Sequence, residues 1–140
     1  MLGIIIPDLP FEEKNEAYDI AKKYDQEVIS LIAPTSEDRI KNIASNSNGF
    51  IYLVSSMGVT GMRKEFNTDL EKIVKEIKKY TDTPVAIGFG ISNPEQAKKM
   101  ANISDGVIIG SAIVKIVEEY GENAASHIYD FCKSIVDAIN

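Results

Sequence analysis

The chain has 140 residues, long enough for one globular domain spanning 1–140 and too short to argue for two. A net charge of −6 excludes a broad nucleic-acid surface, which needs clustered Lys and Arg. No apolar run approaches the ~20 residues of a membrane span, and the opening "MLGIIIPDLP" lacks the basic leader of a signal peptide.

In chain order, the pattern alternates between short apolar runs and polar helical stretches. "LGIIIPDLP" is a strand stopped by two prolines, and "FEEKNEAYDIAKKYD" is a helix. "EVISLIAP" is a β-branched strand ending at Pro34; Ser36 can cap the helix "EDRIKNIASN". "GFIYLVS" is a strand, and the irregular stretch "SMGVTGMRKEFN" follows it. Thr68, with Glu71 three residues on, has capping-box spacing and is expected to open the next helix. Leu70, Ile73, Val74 and Ile77 line its apolar face; Lys72, Lys75, Lys78 and Lys79 form a solvated one. "TPVAIGFG" is a strand, Asn93 caps a helix with Pro94 at its first position, and "DGVIIG" is the last strand. A small helix and a long terminal helix close the chain. In the latter, Ile128, Phe131, Cys132, Ile135, Val136 and Ile139 recur at helical spacing, which makes Cys132 a core-facing residue. As the single cysteine it forms no internal disulfide, which fits a reducing cytoplasm. The single histidine, His127, has no His or Cys cluster to join, so no metal site is expected.

The strand runs are nearly continuous in Ile, Val and Leu. Such strands are expected to be buried on both faces of a parallel sheet, and their alternation with helices implies βα units with right-handed crossovers. At ~30 residues per unit the chain holds only about four or five. It is either a small open sheet or part of a barrel.

Ligands of parallel α/β folds sit beyond the carboxyl ends of the strands. "GFGIS" and "IIGSAIV" follow the last two strands, and their glycines let the amides of Gly90, Gly110 and Ser111 approach an anion. Ser111 adds a hydroxyl and opens a helix, whose positive end favours phosphate. Either glycine motif alone suits a tight turn; the two on consecutive strands favour a phosphate cup. "SSMGVTGMRKEFN" is long for a βα loop and has glycines at 58 and 61, as a loop closing over a substrate would.

"IIIPDLPFEE", "LIAPTSEDRIKNIA", "GFIYLVSSMGVTG", "PVAIGFGISNPEQA" and "DGVIIGSAIVK" stand in the order and spacing of the tryptophan synthase α subunit, which the chain resembles over essentially its whole length. The resemblance implies a (β/α) barrel of TIM type, represented here by its last about five βα units. It implies a cytoplasmic lyase of tryptophan biosynthesis that cleaves indole-3-glycerol phosphate to indole and glyceraldehyde 3-phosphate. That subunit needs no cofactor of its own and passes indole to a pyridoxal-phosphate β subunit. Gly61, Gly90, Gly110 and Ser111 would hold the substrate phosphate. Ile5 and Phe89 would flank the indole ring, Tyr52 would line the pocket, and Thr60 would lie in the closing loop. Asp8 and Pro10 would face the β subunit.

In the family "IIIPDLP" is the fourth barrel strand. The acid/base glutamate and the aspartate that holds the indole nitrogen belong to earlier strands, and no residue of these 140 matches either. By this reading the 140-residue chain alone contains no catalytic residue and is inactive. The alternative is a non-catalytic phosphate-binding or assembly module. Another sugar-phosphate barrel enzyme is disfavoured by "GVTG" and "PDLPFEE". Open sheet edges would also allow a homo-oligomer.

Overall fold

The computed structural model describes residues 3–7, 9, 13–34, 39–55, 63–88 and 90–140. Strands and helices alternate: β1 (Gly3–Ile5), α1 (Lys14–Lys23), β2 (Glu27–Ile32), α2 (Ile40–Ser45), β3 (Ile51–Val54), α3 (Arg63–Ile77), β4 (Val85–Gly88), α4 (Pro94–Ala101) and β5 (Gly106–Ile108). After β5 come α5 (Ser111–Tyr120), a 3₁₀ turn (Gly121–Asn123) and α6 (Ala124–Ile139). The strands form one sheet in the order β1-β2-β3-β4-β5, every pair parallel. Sequence order equals spatial order because each crossover carries the chain one strand along in the same hand.

The two faces of the sheet differ. Register aligns Ile32, Leu53, Ile87 and Val107 on one face, and Ser30, Ile51 and Val85 one pleat earlier on the same face. Ile32, Ile51, Leu53, Val85 and Ile87 are all fully buried. They join one core with Ile40, Ile43 and Ala44 of α2, Leu70, Ile73, Val74 and Ile77 of α3, Ala97 and Met100 of α4, and Ile135 of α6. The opposite face carries Leu31, Tyr52, Ala86 and Ile108, all only half-buried, and Ile5, which is exposed. Helices packed on one side only mark a section of a (β/α) barrel, whereas a doubly wound open sheet has them on both. Strands expected to be buried on both faces are therefore covered by helices on one, and on the other only some positions, such as Ile29 opposite Ile5, are buried. Their continuous apolar sequences suit a barrel interior, and the five strands here cover only part of one.

Two local expectations change. Thr68 does not open α3: the helix begins at Arg63 and Thr68 lies inside it. Arg63, Lys64 and Glu65 are good helix formers, and Phe66 stands four residues before Leu70, which extends the apolar spacing backward. The stretch from 63 to 67, read as irregular, is therefore helical. The terminal stripe is also narrower than its spacing implies: Ile135 is buried, Cys132 half-buried, and Val136 and Ile139 exposed. Asn93 meets its expectation, its Oδ1 accepting from the Gln96 N–H at 2.9 Å with Pro94 next in line. Ser36 lies outside the described residues; the described helix starts after Arg39, which makes no side-chain cap.

The amino ends of β4 and β5 are tied together. The Asp105 carboxylate accepts from the Val85 N–H at 2.8 Å and from Lys78 Nζ at 2.7 Å, while the Asp105 N–H donates to the Val85 carbonyl at 2.9 Å. The Lys78 hydrogen bond, with that of the Val85 amide, holds the Asp105 carboxyl below its usual range. In barrels this end of the sheet serves stability, and the other end carries function.

Candidate functional site at the carboxyl ends of β3, β4 and β5

Three consecutive strands end side by side in polar or bare residues. β3 runs into Ser55, β4 ends in Gly88 with Gly90 two residues on, and β5 leads through Ile109 and Gly110 into α5. Parallel pairing puts these three ends at the same end of the sheet, with the sequence-predicted Gly90 beyond β4 and Gly110 and Ser111 beyond the neighbouring β5.

Each glycine has a different reason. Gly90 has φ +80°, a left-handed conformation that a side chain would strain, and it is exposed. Gly88 has Tyr52 lying over it: a Cβ there would come 2.4 Å from the tyrosine hydroxyl and 2.6 Å from Cζ. Gly110 has φ −119°, which any residue adopts, and nothing lies within 4 Å of where its Cβ would be. Its bareness therefore meets no demand from the chain's own packing. It leaves open space directly before α5, a helix with no side-chain cap. Of its first-turn N–H groups, that of Ile113 donates to the Gly110 carbonyl at 2.9 Å, and those of Ser111 and Ala112 are the ones such a helix start offers to water or an anion.

Ser55 was not assigned a role from the sequence. It is fully buried, and both its N–H (2.8 Å) and its Oγ (2.9 Å) donate to the Gly88 carbonyl. The end of β3 thus grips the turn that carries Gly90 from below, while Tyr52 covers Gly88 from the barrel-interior face. A lone serine beside an irregular stretch gives no sequence signal; the β3–β4 register, aligning Val54 with Gly88, shows the proximity. Burial pushes the Tyr52 hydroxyl pKa up, so it stays protonated and can donate.

Ile5 stands on the same interior face but two strands away, on β1, where it is 43% exposed. It walls the interior rather than touching the Gly90–Ser111 end. Asp8, Pro10, Thr60, Gly61 and Phe89 lie outside the described residues. Among the described residues no helix is long and apolar enough to cross a membrane.

The comparisons with known proteins bear on the fold and family of the whole chain. The family model described as tryptophan synthase alpha chain matches residues 1–139. The tryptophan synthase alpha chain of Lacticaseibacillus casei is 54% identical over 138 residues, which are 99% of this chain and 52% of that one. That of Bacillus subtilis is 48% identical over 124 residues, 89% of this chain and 46% of that one. Among solved structures, the subunit alpha of Campylobacter jejuni superposes with a TM-score of 0.79 at 36% identity, covering 84% of this chain and 48% of that one. A structure of the tryptophan synthase α2β2 complex of Pyrococcus furiosus gives 0.81 at 32% identity, covering 98% of this chain and 56% of that one. The chain spans about half the length of the curated relatives it matches. With its strand order, its one-sided helices and the glycine-lined ends of β4 and β5, the chain belongs to the tryptophan synthase alpha chain family.

Proposed function

We propose that the chain supplies the phosphate end and part of the indole wall of an indole-3-glycerol phosphate lyase site. The observation that carries this is the open space at Gly110, where neither backbone conformation nor a neighbouring atom calls for glycine. A phosphate there would receive the Ser111 and Ala112 amides at the start of α5 and the Ser111 hydroxyl, with exposed Gly90 in the turn after the adjoining strand β4. Gly61, from the stretch before α3, would add to the same cup. The indole ring would lie against the interior face beside Tyr52, Phe89 and Ile5, and Thr60 would belong to the closing loop.

Aldol cleavage protonates indole C3, removes the proton of the glycerol hydroxyl and breaks the carbon–carbon bond between them, giving indole and glyceraldehyde 3-phosphate. These proton transfers need a positioned acid and base, each worth typically ~10²–10⁴ in rate. In the family resemblance these groups lie on strands that the 140 residues do not match, so we propose that this chain's part is to bind and orient the substrate rather than to transfer protons. In the complete subunit, Asp8 and Pro10 would face the β subunit, which takes up indole.

The test has two arms. The purified chain should release no indole from indole-3-glycerol phosphate beyond a Thr60→Ala, Ser111→Asp double variant. It should bind glycerol 3-phosphate, and Ser111→Asp alone should lose that binding by setting a carboxylate against the phosphate. Steady indole release above the control would refute the division of labour. Undiminished binding by Ser111→Asp would refute the phosphate site.

A further inference from the structure

The stretch 46–50 leads from α2 into β3 at the amino end of the sheet, away from the proposed phosphate site. It is anchored on both sides. Ser47 is buried; its Oγ donates to the Ile43 carbonyl, and its own carbonyl accepts from Thr83 Oγ1 at 3.2 Å. The Ile51 N–H donates to the Pro84 carbonyl at 2.7 Å. Between these anchors Asn48 and Gly49 are exposed, and among the described residues neither the Asn48 carboxamide nor the Gly49 N–H has a hydrogen-bond partner. The fold needs glycine here: Gly49 has φ +70°, and a Cβ would stand 3.1 Å from Ile29 Cδ1. Asn48 is also the only asparagine of the chain that glycine follows.

We propose that Asn48–Gly49 is a site of spontaneous covalent modification in the folded chain, where Asn48 turns into aspartate and isoaspartate through a cyclic imide. The Gly49 main-chain nitrogen gives its proton to hydroxide and bonds to Asn48 Cγ. The Cγ–Nδ2 bond breaks, and Nδ2 leaves as ammonia after taking a proton from water. Water then opens the ring. Cleavage between the Gly49 nitrogen and Cγ gives aspartate in the ordinary chain. Cleavage between that nitrogen and the Asn48 main-chain carbonyl carbon gives isoaspartate, with the chain running through Cβ and Cγ. Nothing is oxidised or reduced. The attack suits this position because Gly49 has no side chain to shield its nitrogen, and neither reacting group has a hydrogen bond to give up. Other asparagines lack these features: Asn46 Nδ2 donates to the Asn42 carbonyl at 2.8 Å, Asn93 Oδ1 caps α4, and Pro94 after Asn93 has no N–H. Either product adds a negative charge beside β2, where a Cβ on Gly49 would lie 3.9 Å from Glu27 Cβ. Isoaspartate also lengthens the main chain by one carbon between Ser47 and Ile51. That extra length falls on the bonds from Thr83 and to Pro84, which tie the start of β3 to the segment before β4. The inference is independent of the phosphate reading.

The experiment ages the purified chain in mildly alkaline buffer, once folded and once in denaturant, and maps its peptides by mass spectrometry. The peptide bearing Asn48 should gain about one dalton before any other asparagine peptide does. The folded rate should stay within about tenfold of the denatured rate, as for a segment whose reacting groups open at almost no cost. Labelling by an isoaspartyl methyltransferase should find isoaspartate at this position. Asn48→Gln should slow the gain at least tenfold, because its attack must close a larger ring. The isoaspartate form should melt below the unmodified chain, whereas Asn48→Asp, an exposed substitution that leaves the main chain unchanged, should melt within about 3 °C of it. The proposal is overturned if another asparagine is modified first, or if folding slows the reaction at Asn48 more than about a hundredfold. Aspartate without isoaspartate would overturn it as well, since direct hydrolysis would then replace the cyclic imide. An isoaspartate form that melts with the unmodified chain would overturn the strain assigned to the Thr83 and Pro84 bonds.

Discussion

At the scale of single residues, the three glycines separate demands of the fold from demands of a ligand. Gly110→Ala places a methyl group in open space, so its effect on stability should stay within about 1 kcal/mol, the range of helix-cap preferences. If the space belongs to a phosphate, the same methyl should weaken glycerol 3-phosphate binding at least tenfold; thermal melts and calorimetry of one sample check both halves. Ser55→Ala removes one of two hydrogen bonds to the Gly88 carbonyl and leaves the Ser55 N–H in place, so it should cost about 1 kcal/mol. Ser47→Ala deletes another buried serine hydroxyl bond, to the Ile43 carbonyl away from the site, and makes a stability-matched comparison. Weakened phosphate binding in Ser55→Ala but not in Ser47→Ala would identify Ser55 as a positioning residue for the Gly90 turn.

At the scale of elements, what was readable depended on how far each signal reached along the chain. The five strands and the cap at Asn93 are local: β-branched runs bounded by Pro and Gly, and an oxygen three residues before its amide. The start of α3 was misplaced because Thr68 and Glu71 mimic a capping box within a helix that begins five residues earlier. The two threonine and asparagine positions therefore behave oppositely. Asn93→Ala should destabilise by about 1 kcal/mol through the lost cap, whereas Thr68→Ala should be neutral or stabilising, since alanine is the better residue inside a helix. Chemical denaturation of the two variants checks this, and a loss of about 1 kcal/mol at Thr68 would move the helix start back to that residue. Ser55 and the Asp105 clamp were illegible because their partners are distant in sequence: the Gly88 carbonyl is 33 residues from Ser55, and the Val85 amide 20 from Asp105.

The Asp105 clamp also has a pH signature. Its carboxyl titrates lower in the folded chain than in the unfolded one. Its contribution is therefore complete above the ordinary carboxylate pKa near ~4 and fades as pH falls below that toward the folded value. Asp105→Asn should lower stability at neutral pH and flatten this part of the acid-unfolding curve. The side chain is 46% exposed, so the effect is modest and shrinks with salt. Melting temperatures of both proteins between pH 7 and the acid transition measure it.

At the scale of the whole molecule, the sheet has one finished face and one unfinished one. Ile32, Leu53 and Ile87 are fully covered by helices, while Leu31, Tyr52 and Ala86 across the same strands stay half-open. Along the strands the sequence reads as apolar throughout, as a barrel strand does, and only the packing of α2, α3, α4 and α6 shows which face is covered here. The proposed phosphate end divides from the rest in the same way: it rests on backbone at the ends of β4 and β5 and the start of α5, and glycines at strand ends made it readable in the sequence. Val114 and Val117 of α5 are exposed on a helix with no buried residue. With Ile5, Ile20 and Tyr24 at the other side, they leave apolar surface at both ends of the sheet, which association of any kind would bury at ~25 cal/mol per Å².

The most direct measurement is an amide chemical-shift titration of the 140-residue chain with glycerol 3-phosphate. The account predicts saturable shifts centred on Gly90, Gly110 and Ser111, extending to Ser55 and Gly88 through the carbonyl they share, and absent at the Asp105–Val85 end of the sheet. Shifts confined to other surfaces, or none at Gly110 and Ser111 at saturating ligand, would contradict it.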